Sequence, residues 1–224
     1  MATPFAAPPA HAYYDQTKRA MDCLVAATLL IVGAPLWLAI AVAIKLGSPG
    51  PILFTRTVIG RGGQPFTYYK FRTMTHRNDD SAHRAFLHSY VRENKPFAVR
   101  HDAATGQEQP IYKVVADPRV TRVGRVLRRT SLDEIPQCIN VLRGQMSLIG
   151  PRPPIDYEFA LYDDAAKARL AVLPGISGLA QVRGRGRVSF SQMLAYDLTY
   201  IRQRSVAYDL TLMVATVKTM LSGQ

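Results

Sequence analysis

The chain has 224 residues, of which 28 are Lys or Arg and 16 are Asp or Glu, so its net charge is +12. This surplus favours anionic partners such as nucleic acid, anionic lipid or phosphorylated small molecules. A content of 48% apolar residues excludes disorder of the whole chain. The two cysteines, Cys23 and Cys138, lie far apart in the sequence, which excludes a disulfide framework and fits a reducing compartment.

Residues 1–16 are rich in Pro and Ala and are predicted to be a flexible N-terminus. Residues 23–44 then hold no charge, and at about 1.5 Å per residue a straight helix of this length would cross a hydrocarbon core of about 30 Å. Gly33 and Pro35 predict a break at the middle of this run. Basic residues flank it on both sides, so the positive-inside rule gives no orientation. A spanning helix and a bent, re-entrant helix both fit these observations.

The rest of the chain mixes short extended runs with helices. Two such runs on either side of a Gly-rich turn at residues 60–63 predict a β-hairpin. The polar stretch 75–112 is predicted to be an insertion with one helix inside a long loop. Helices are further predicted from Val120, over about 133–143 and over 157–173, and residues 190–221 are predicted to form one or two amphipathic helices.

The stretch TSLDEIPQ, residues 130–137, places Asp133 and Glu134 side by side, two residues before Pro136. Proline fits a helix only in the first turn, so both acids are expected at the positive end of a helix. One interpretation is structural, with Ser131 and Glu134 forming a capping box and Asp133 complementing the helix dipole. The other is catalytic: the same helix end keeps a carboxylate ionised and accepts a phosphate, and an aspartate can attack phosphorus beside a divalent ion.

Several basic side chains are candidates for phosphate binding. Arg152 lies between two prolines, which hold its backbone and favour bidentate binding at a small entropic cost. Arg128 and Arg129 are either phosphate ligands or part of a solvated helix face. Lys70 and Arg72 would point to the same side of an extended segment, which is also the pattern of an amphipathic strand.

Four segments together closely resemble the bacterial sugar transferase family, the monotopic phosphoglycosyl transferases of the inner membrane. They are KRAMDCLV, SPGPILFTRTVIGRGGQPFTYYKFRTM, DPRVTRVGRVLRRTSLDEIPQCINVLRGQMSLIGPRPP and LPGISGLAQVRGRG. The likeness covers about residues 17–221, apart from the stretch 75–112. It implies an α+β, mainly helical fold with a re-entrant helix–break–helix over residues 17–47, a short β-hairpin, and a small cytosolic catalytic domain over 48–224 with amphipathic interfacial helices.

The resemblance also implies a reaction and a set of residues. Family members transfer a sugar-1-phosphate from a UDP-sugar to undecaprenyl phosphate, with Mg²⁺, at the cytoplasmic face of the bacterial inner membrane. Asp133 is then expected to be the nucleophile that carries a covalent phosphosugar, and it would hold Mg²⁺ together with Glu134. Lys70 and Asp197 complete the expected catalytic set. The expected substrate- and phosphate-binding residues are Arg72, Arg128, Arg129, Arg152, Gln181 and Arg185.

The chain departs from the family pattern in three places. It reads RGR after AQV where NGR is common, it has Pro154 where an acid often follows PRP, and it lacks tryptophans near its C-terminus. A rival interpretation is a membrane-tethered basic protein that binds nucleic acid or anionic lipid. It explains the charge and the RGRGR tract but not the pair of acids, so the expected partners are a UDP-sugar, undecaprenyl phosphate and membrane lipid, without nucleic acid. The sugar and the pathway stay open, with a homodimer as one option for assembly.

Overall fold

The computed structural model describes residues 13–75, 81–101, 108–112, 117–184 and 187–221. Its helices, in chain order, are α1 (Tyr14–Val32), α2 (Ala34–Gly47), α3 (Ser81–Glu93), α4 (Arg122–Thr130), α5 (Cys138–Leu142), α6 (Asp156–Phe159), α7 (Asp164–Lys167), α8 (Leu179–Gly184), α9 (Phe190–Gln203) and α10 (Val206–Leu221). Short 3₁₀ helices cover Arg61–Gly63, Leu132–Gln137 and Ala168–Ala171. The strands are β1 (Leu53–Ile59), β2 (Pro65–Phe71), β3 (Ala98–His101), β4 (Glu108–Ile111), β5 (Ser147–Ile149) and β6 (Gly175–Ser177). The described residues are therefore mainly helical with short sheets, as predicted.

Helices α1 and α2 form a bent pair, and the predicted break at Gly33 and Pro35 is confirmed. The two helix axes differ by 63°. Pro35 lies in the first turn of α2, where its missing N–H costs no helical hydrogen bond. The indole of Trp37 donates to the carbonyl of Leu29 at 2.9 Å and lies so close to Gly33 that a Cβ there would be 2.3 Å from the ring. Among the described residues, no single helix is long and apolar enough to cross a membrane, whereas this pair passes that criterion together.

Helix α1 begins at Tyr14, which is earlier than the boundary at residue 17 predicted from the sequence. A buried carboxylate explains this start. Asp209 of α10 accepts hydrogen bonds from the Tyr14 hydroxyl at 2.9 Å, from Lys18 at 2.8 Å and from the Tyr200 hydroxyl of α9 at 2.8 Å. This Asp209 cluster, which consists of Tyr14, Lys18, Tyr200 and Asp209, therefore fastens the first helix to the last two.

The predicted hairpin is confirmed. Strands β1 and β2 pair antiparallel from Leu53 opposite Phe71 to Ile59 opposite Pro65. Gly62 and Gly63 have φ values of 67° and 78° in the turn, a region that glycine adopts at little steric cost. The backbone just after β2 packs against α4, because Gly124 lies so close to Thr73 that a Cβ would be 2.0 Å from the Thr73 carbonyl oxygen.

The insertion at 75–112 contains more structure than the sequence predicts. Helix α3 is the expected helix, but strands β3 and β4 also pair as an antiparallel hairpin, so the prediction of a long loop is wrong. Aromatic rings hold α3 on the domain: Phe86 and Tyr90 stack with centroids 5.6 Å apart, and Tyr90 meets Phe190 of α9 edge-on at 5.7 Å. Phe97, just before β3, packs edge-on against Phe86.

The single helix predicted over residues 157–173 is wrong. The structure divides this stretch into α6, α7 and the 3₁₀ helix Ala168–Ala171. Asp163 causes one division, because its side chain accepts the backbone N–H of Ala166 and caps a new helix. The C-terminal region is two helices, as one of the predicted alternatives has it, and a capping box of Ser189 and Gln192 begins the first of them, α9.

The main core lies between α1, α5, the parallel pair β5–β6 and the helices α9 and α10. Its buried residues include Ala26, Val141, Ile149, Tyr200 and Leu212. Helix α5 follows the acidic pair directly, so this core fixes the segment that carries both acids.

Candidate active site

Asp133 and Glu134 lie in the 3₁₀ helix Leu132–Gln137, which continues into α5. The helical turn therefore begins where Pro136 predicts, although its first part is 3₁₀ and not α. The capping-box interpretation is wrong, because Ser131 has a φ of 57° and its side chain makes no cap hydrogen bond. With Ser131 in this left-handed conformation, the chain turns sharply between α4 and the two acids.

Lys70, at the end of β2, joins the two acids. Its ammonium lies 3.2 Å from Oδ2 of Asp133 and 2.8 Å from Oε1 of Glu134. The side chain of Asp133 is only 7% exposed, whereas that of Glu134 is 32% exposed. The hairpin and the helical turn thus bring Lys70 against two acids that lie more than sixty positions later in the sequence. The buried Asp133 carboxylate thus pairs with Lys70, and the neighbouring acid, Glu134, reaches solvent.

Lys70 and the two acids stabilise each other's charges, whereas Glu134 disfavours the charge on Asp133. Burial raises the pKa of the Asp133 carboxyl above its ordinary value, and the Lys70 ammonium acts in the opposite direction. Burial alone would lower the pKa of Lys70, but the carboxylates, that of Glu134 foremost, outweigh it and raise that pKa. Lys70 therefore stays cationic and opposes the protonation of the buried aspartate.

The two predicted arginines of α4 occupy different surroundings. Arg128 donates from Nε to the hydroxyl of Thr73 at 2.9 Å, which leaves the forked end of its guanidinium directed away from that contact. Arg128 lines the same cavity as Asp133 and Lys70. Arg129 is exposed and is not among the residues that line this cavity.

Arg72 is buried and bonded to the backbone. Its guanidinium donates to the carbonyls of Ser48 at 2.8 Å, Ile44 at 3.5 Å and Pro49. These carbonyls lie at the C-terminal end of α2 and just beyond it, where a cation is favourable. The contacts show Arg72 as the joint between the helix pair and the β-hairpin, and phosphate binding by this residue stays a prediction.

The remaining predicted residues are distributed around the same region. Arg152 follows β5, is half-exposed and has its Nη1 at 4.0 Å from Oε2 of Glu158. Gln181 in α8 lines the cavity, and its amide oxygen is buried without a hydrogen-bond partner. Arg185 lies outside the described residues.

Asp197 is buried in a network of polar side chains that the sequence reasoning missed. Oδ2 of Asp197 is 2.6 Å from Nη2 of Arg169, whose Nη1 donates to the Tyr162 hydroxyl. The same Tyr162 hydroxyl donates to Oε1 of Glu158 at 2.7 Å. A signal was present in the sequence, since Glu158, Tyr162 and Arg169 would share one face of a continuous helix at spacings of four and seven residues.

A cavity of about 830 Å³ lies beside Asp133 and most of the predicted basic residues. From the predicted site it is lined by Lys70, Arg72, Asp133, Arg128, Arg152 and Gln181, and Arg169 also reaches its wall. The insertion supplies another part of the wall through His83, Phe86, Leu87, Tyr90 and Tyr112. The cavity thus combines a cationic end, suited to phosphate, with an aromatic side, suited to an apolar or ring-shaped group.

The chemistry of the acidic pair fits Mg²⁺. The described residues contain no cluster of three or more His, Cys, Asp or Glu that could enclose a metal ion by itself. Mg²⁺ is commonly held by one or two carboxylates, with substrate phosphates and water completing its octahedral shell. Asp133 and Glu134 supply such a pair beside a cationic cavity, so a magnesium site shared with a phosphate ligand fits these residues.

Comparison with known proteins defines the class. A family model described as bacterial sugar transferase matches residues 13–223. The exopolysaccharide production protein ExoY of Rhizobium meliloti is 40% identical over 200 residues, which cover 89% of this chain and 83% of that protein. The UDP-glucose:undecaprenyl-phosphate glucose-1-phosphate transferase of Caulobacter vibrioides is 43% identical over 217 residues, or 93% of this chain and 71% of that protein. The Escherichia coli enzyme of the same name is 38% identical over 89% of this chain, which spans only 39% of that longer protein.

The chain therefore belongs to the bacterial sugar transferase family, and it is a phosphoglycosyl transferase enzyme. The resemblance inferred from the sequence motifs is confirmed. The rival interpretation as a basic binding protein without enzymatic activity is set aside by this membership.

Proposed function

We propose that this enzyme transfers a sugar-1-phosphate from a UDP-sugar to undecaprenyl phosphate through a phosphosugar joined covalently to Asp133. The observation that carries the proposal is the buried Asp133 carboxylate, paired with Lys70 at the wall of a cationic cavity. Relatives named as UDP-glucose:undecaprenyl-phosphate glucose-1-phosphate transferases support this class of donor and acceptor. The relatives named ExoY support a place in exopolysaccharide production.

In the first step, a carboxylate oxygen of Asp133 attacks the phosphorus that carries the sugar. The bond from that phosphorus to the oxygen bridging it to UMP breaks, and UMP leaves with the bonding electron pair. In the second step, a phosphate oxygen of undecaprenyl phosphate attacks the same phosphorus, and the bond to Asp133 breaks. The carboxylate is restored, and the lipid carries a sugar diphosphate.

The chain's own residues position and balance these steps. Lys70 opposes the protonation of Asp133 and holds it in place, because its ammonium contacts both carboxylates. Arg128 and Arg152 would bind the phosphates of the donor from the cationic part of the cavity. Asp133 and Glu134 would hold Mg²⁺, which when bound supplies positive charge at the reacting phosphate.

Substituting Arg128 with methionine should raise the KM for the UDP-sugar by about 10- to 100-fold, with a smaller effect on kcat. The reason is that a charge-assisted contact to phosphate is made in the ground state as well as in the transition state. Steady-state rates of UMP release over a range of donor concentrations measure this. Arg125→Met is the matched control, because Arg125 is an exposed arginine of the same helix that does not line the cavity. An equal rise in KM for both variants would contradict the assignment.

The bent pair α1–α2 is proposed to enter and leave one face of the bacterial inner membrane. The support is the 63° bend, the break at Gly33, and large apolar side chains that are exposed on both helices, including Ile31 and Leu38. Undecaprenyl phosphate has its phosphate at the depth of the lipid headgroups, so a catalytic pair must lie at that depth. A short re-entrant anchor holds the cavity there.

Cysteines introduced at Tyr13 and Lys45, in a chain whose Cys23 and Cys138 are replaced, should both react with a thiol reagent from the cytoplasmic side only. Tyr13 precedes α1 and Lys45 lies in the last turn of α2, and both are exposed. Labelling of inside-out and right-side-out vesicles with a membrane-impermeant maleimide measures the side. Labelling of the two positions from opposite sides would show a spanning helix and overturn the re-entrant topology.

The proposed reaction is tested by a UMP-release screen. Purified enzyme is incubated with undecaprenyl phosphate, Mg²⁺ and each of a panel of UDP-sugars. One or a few donors should release UMP in amounts equal to the lipid-linked product, and EDTA should stop the reaction. Release of free sugar phosphate, or transfer without any release of UMP, would exclude the proposed reaction.

A further inference from the structure

Resting on the proposed function, we infer that Asp197 and Arg169 are positioning residues that aim Arg152 at the donor phosphates, with Glu158 as the link between them. The first support is burial. The side chains of Asp197 and Glu158 are 2% exposed and neither lines the cavity, so neither reaches a bound substrate. Asp197 therefore acts through its partner and not by contact with the reacting atoms.

The partner, Arg169, is bonded both to Asp197 and to the segment that carries Arg152. Its Nη2 lies 2.6 Å from Asp197 and donates to the backbone carbonyl of Arg152 at 3.1 Å. That carbonyl belongs to the PRP segment, whose prolines restrict its backbone. A hydrogen bond at this position therefore fixes the direction in which the Arg152 side chain leaves the chain.

Glu158 lies between the two guanidinium groups. Its Oε1 is 4.0 Å from Nη1 of Arg169 and accepts the Tyr162 hydroxyl, and its Oε2 is 4.0 Å from Nη1 of Arg152. Oε2 is buried and has no hydrogen-bond partner among the described residues. The half-exposed Arg152 lies 4.0 Å from that oxygen and also lines the cavity. The Glu158 carboxylate therefore orients the guanidinium of Arg152 from the buried side, while the guanidinium stays accessible to a ligand in the cavity.

The four charges balance in pairs. Asp197 neutralises Arg169, which leaves Glu158 available to Arg152. When Asp197 loses its charge, the fully buried Arg169 has Glu158 as its remaining carboxylate within the network. Arg169 then draws Glu158 away from Arg152, because an uncompensated buried charge is strongly unfavourable. Loss of the charge at Asp197 should therefore weaken the binding of donor phosphates by Arg152.

The inference is tested by a double-mutant cycle of Asp197→Asn and Arg152→Ala. We expect Asp197→Asn to raise the KM for the UDP-sugar by about tenfold when Arg152 is present, and by less than about twofold in the Arg152→Ala background. A merely structural loss would lower kcat through a smaller active fraction and would be equal in both backgrounds. If Asp197→Asn raises KM by the same factor in both backgrounds, the two substitutions are additive and the inference is overturned. Asp164→Asn, at an acid that is 84% exposed, is the control and should leave KM unchanged.

Two further measurements keep the test decisive. If Asp197→Asn does not fold, the variant Asp197→Leu/Arg169→Met removes both buried charges together. Its KM should still rise when Arg152 is present, because the Arg152 carbonyl loses its donor, and by less than about twofold in the Arg152→Ala background. A wild-type KM in that variant would overturn the inference. Calorimetric titration with UDP separates the inference from the proposed reaction, since the Kd for UDP should follow the same non-additive pattern even in a preparation that releases no UMP. Additive changes in that Kd would reject the positioning role while leaving the reaction intact.

Discussion

Replacing Asp133 with asparagine should lower the rate of UMP release by about 10³- to 10⁶-fold and abolish covalent labelling by a radiolabelled UDP-sugar. Asparagine has nearly the shape of aspartate, and Lys70 and Glu134 stay in place, so the cavity should keep its form. The amide oxygen is a poor nucleophile, and an acyl-phosphate cannot form on it. The measurement is retention of label on the denatured protein after incubation with donor alone, together with a UMP-release assay.

Glu134→Gln is the matched control for this result. It removes a charge of the same sign at the adjacent position, but it leaves the proposed nucleophile intact. Label should still attach to Asp133 in this variant, at a reduced rate, because the neutralisation of the reacting phosphate is weaker. Label retained by Asp133→Asn and lost by Glu134→Gln would reverse the assignment of the two acids. Release of UMP that requires donor and acceptor together, with no adduct in any variant, would exclude the covalent intermediate.

The sequence predicts the fold well where a residue type, such as proline or glycine, is restricted to few helix positions or favours an unusual backbone conformation. Pro35 lies in the first turn of α2, and Pro136 lies in the 3₁₀ helix just before α5. The few positions that a helix allows for proline therefore predict the break in the apolar run and a helical turn that begins near the acids. The glycines at the hairpin tip adopt positive φ, and the extended runs on both sides of them predict the strands. Local stereochemistry decides each of these features, and a local pattern therefore suffices to predict them.

The parts that the sequence does not predict depend on contacts between distant segments. Strands β3 and β4 are four residues each, too short for a periodic pattern, and their pairing follows from the packing of α3 and Phe97 on the domain. The stretch 157–173 has helical periodicity, but Asp163 begins a new helix and buried ion pairs determine where the pieces lie. Tertiary contacts override local preference at these places.

The candidate site shows the same division. A motif can suggest that Asp133 and Glu134 act together, but only the fold shows that Lys70, more than sixty residues earlier in the chain, contacts both of them. Likewise, the sequence motifs suggest a role for Asp197 but give no partner for it. Only the fold shows that the guanidinium of Arg169 lies 2.6 Å from the Asp197 carboxylate. Burial also separates Arg72, which is bonded to backbone carbonyls, from Arg128, which faces the cavity, although both appear as equivalent basic residues in the sequence.

The anchor and the acidic pair are mechanically connected. Arg19 of α1 donates from its guanidinium to the carbonyls of Val141 and Leu142, the last residues of α5. A cation at this end of a helix complements its unpaired carbonyls. Because α5 follows the 3₁₀ helix that carries Asp133, the position of α1 sets the position of the nucleophile. Whatever holds α1 against the domain therefore also determines where the chemistry takes place.

Replacing Asp209 with alanine should for this reason produce the largest loss of stability, about 3–5 kcal/mol in the free energy of unfolding. The carboxylate is fully buried and pairs with Lys18 at 2.8 Å. Without it, the ammonium of Lys18, which is only 12% exposed, has lost its ion partner, and the hydroxyls of Tyr14 and Tyr200 lose an acceptor. Breaking one side of a buried ion pair is costly because the remaining charge stays desolvated. Thermal and denaturant unfolding of the purified protein, followed by circular dichroism, measure the loss.

Asp164→Ala provides the comparison, since it removes an ion pair with Lys167 whose carboxylate is 84% exposed and should change stability by less than about 0.5 kcal/mol. A second comparison, Lys18→Met/Asp209→Asn, removes both charges of the buried pair and should recover part of the loss. Equal stability of Asp209→Ala and Asp164→Ala would show that the cluster does not hold α1. If the cluster does hold it, Asp209→Ala should also lower UMP release at temperatures well below unfolding, because a loosened α1 no longer fixes α5 and the nucleophile that precedes it.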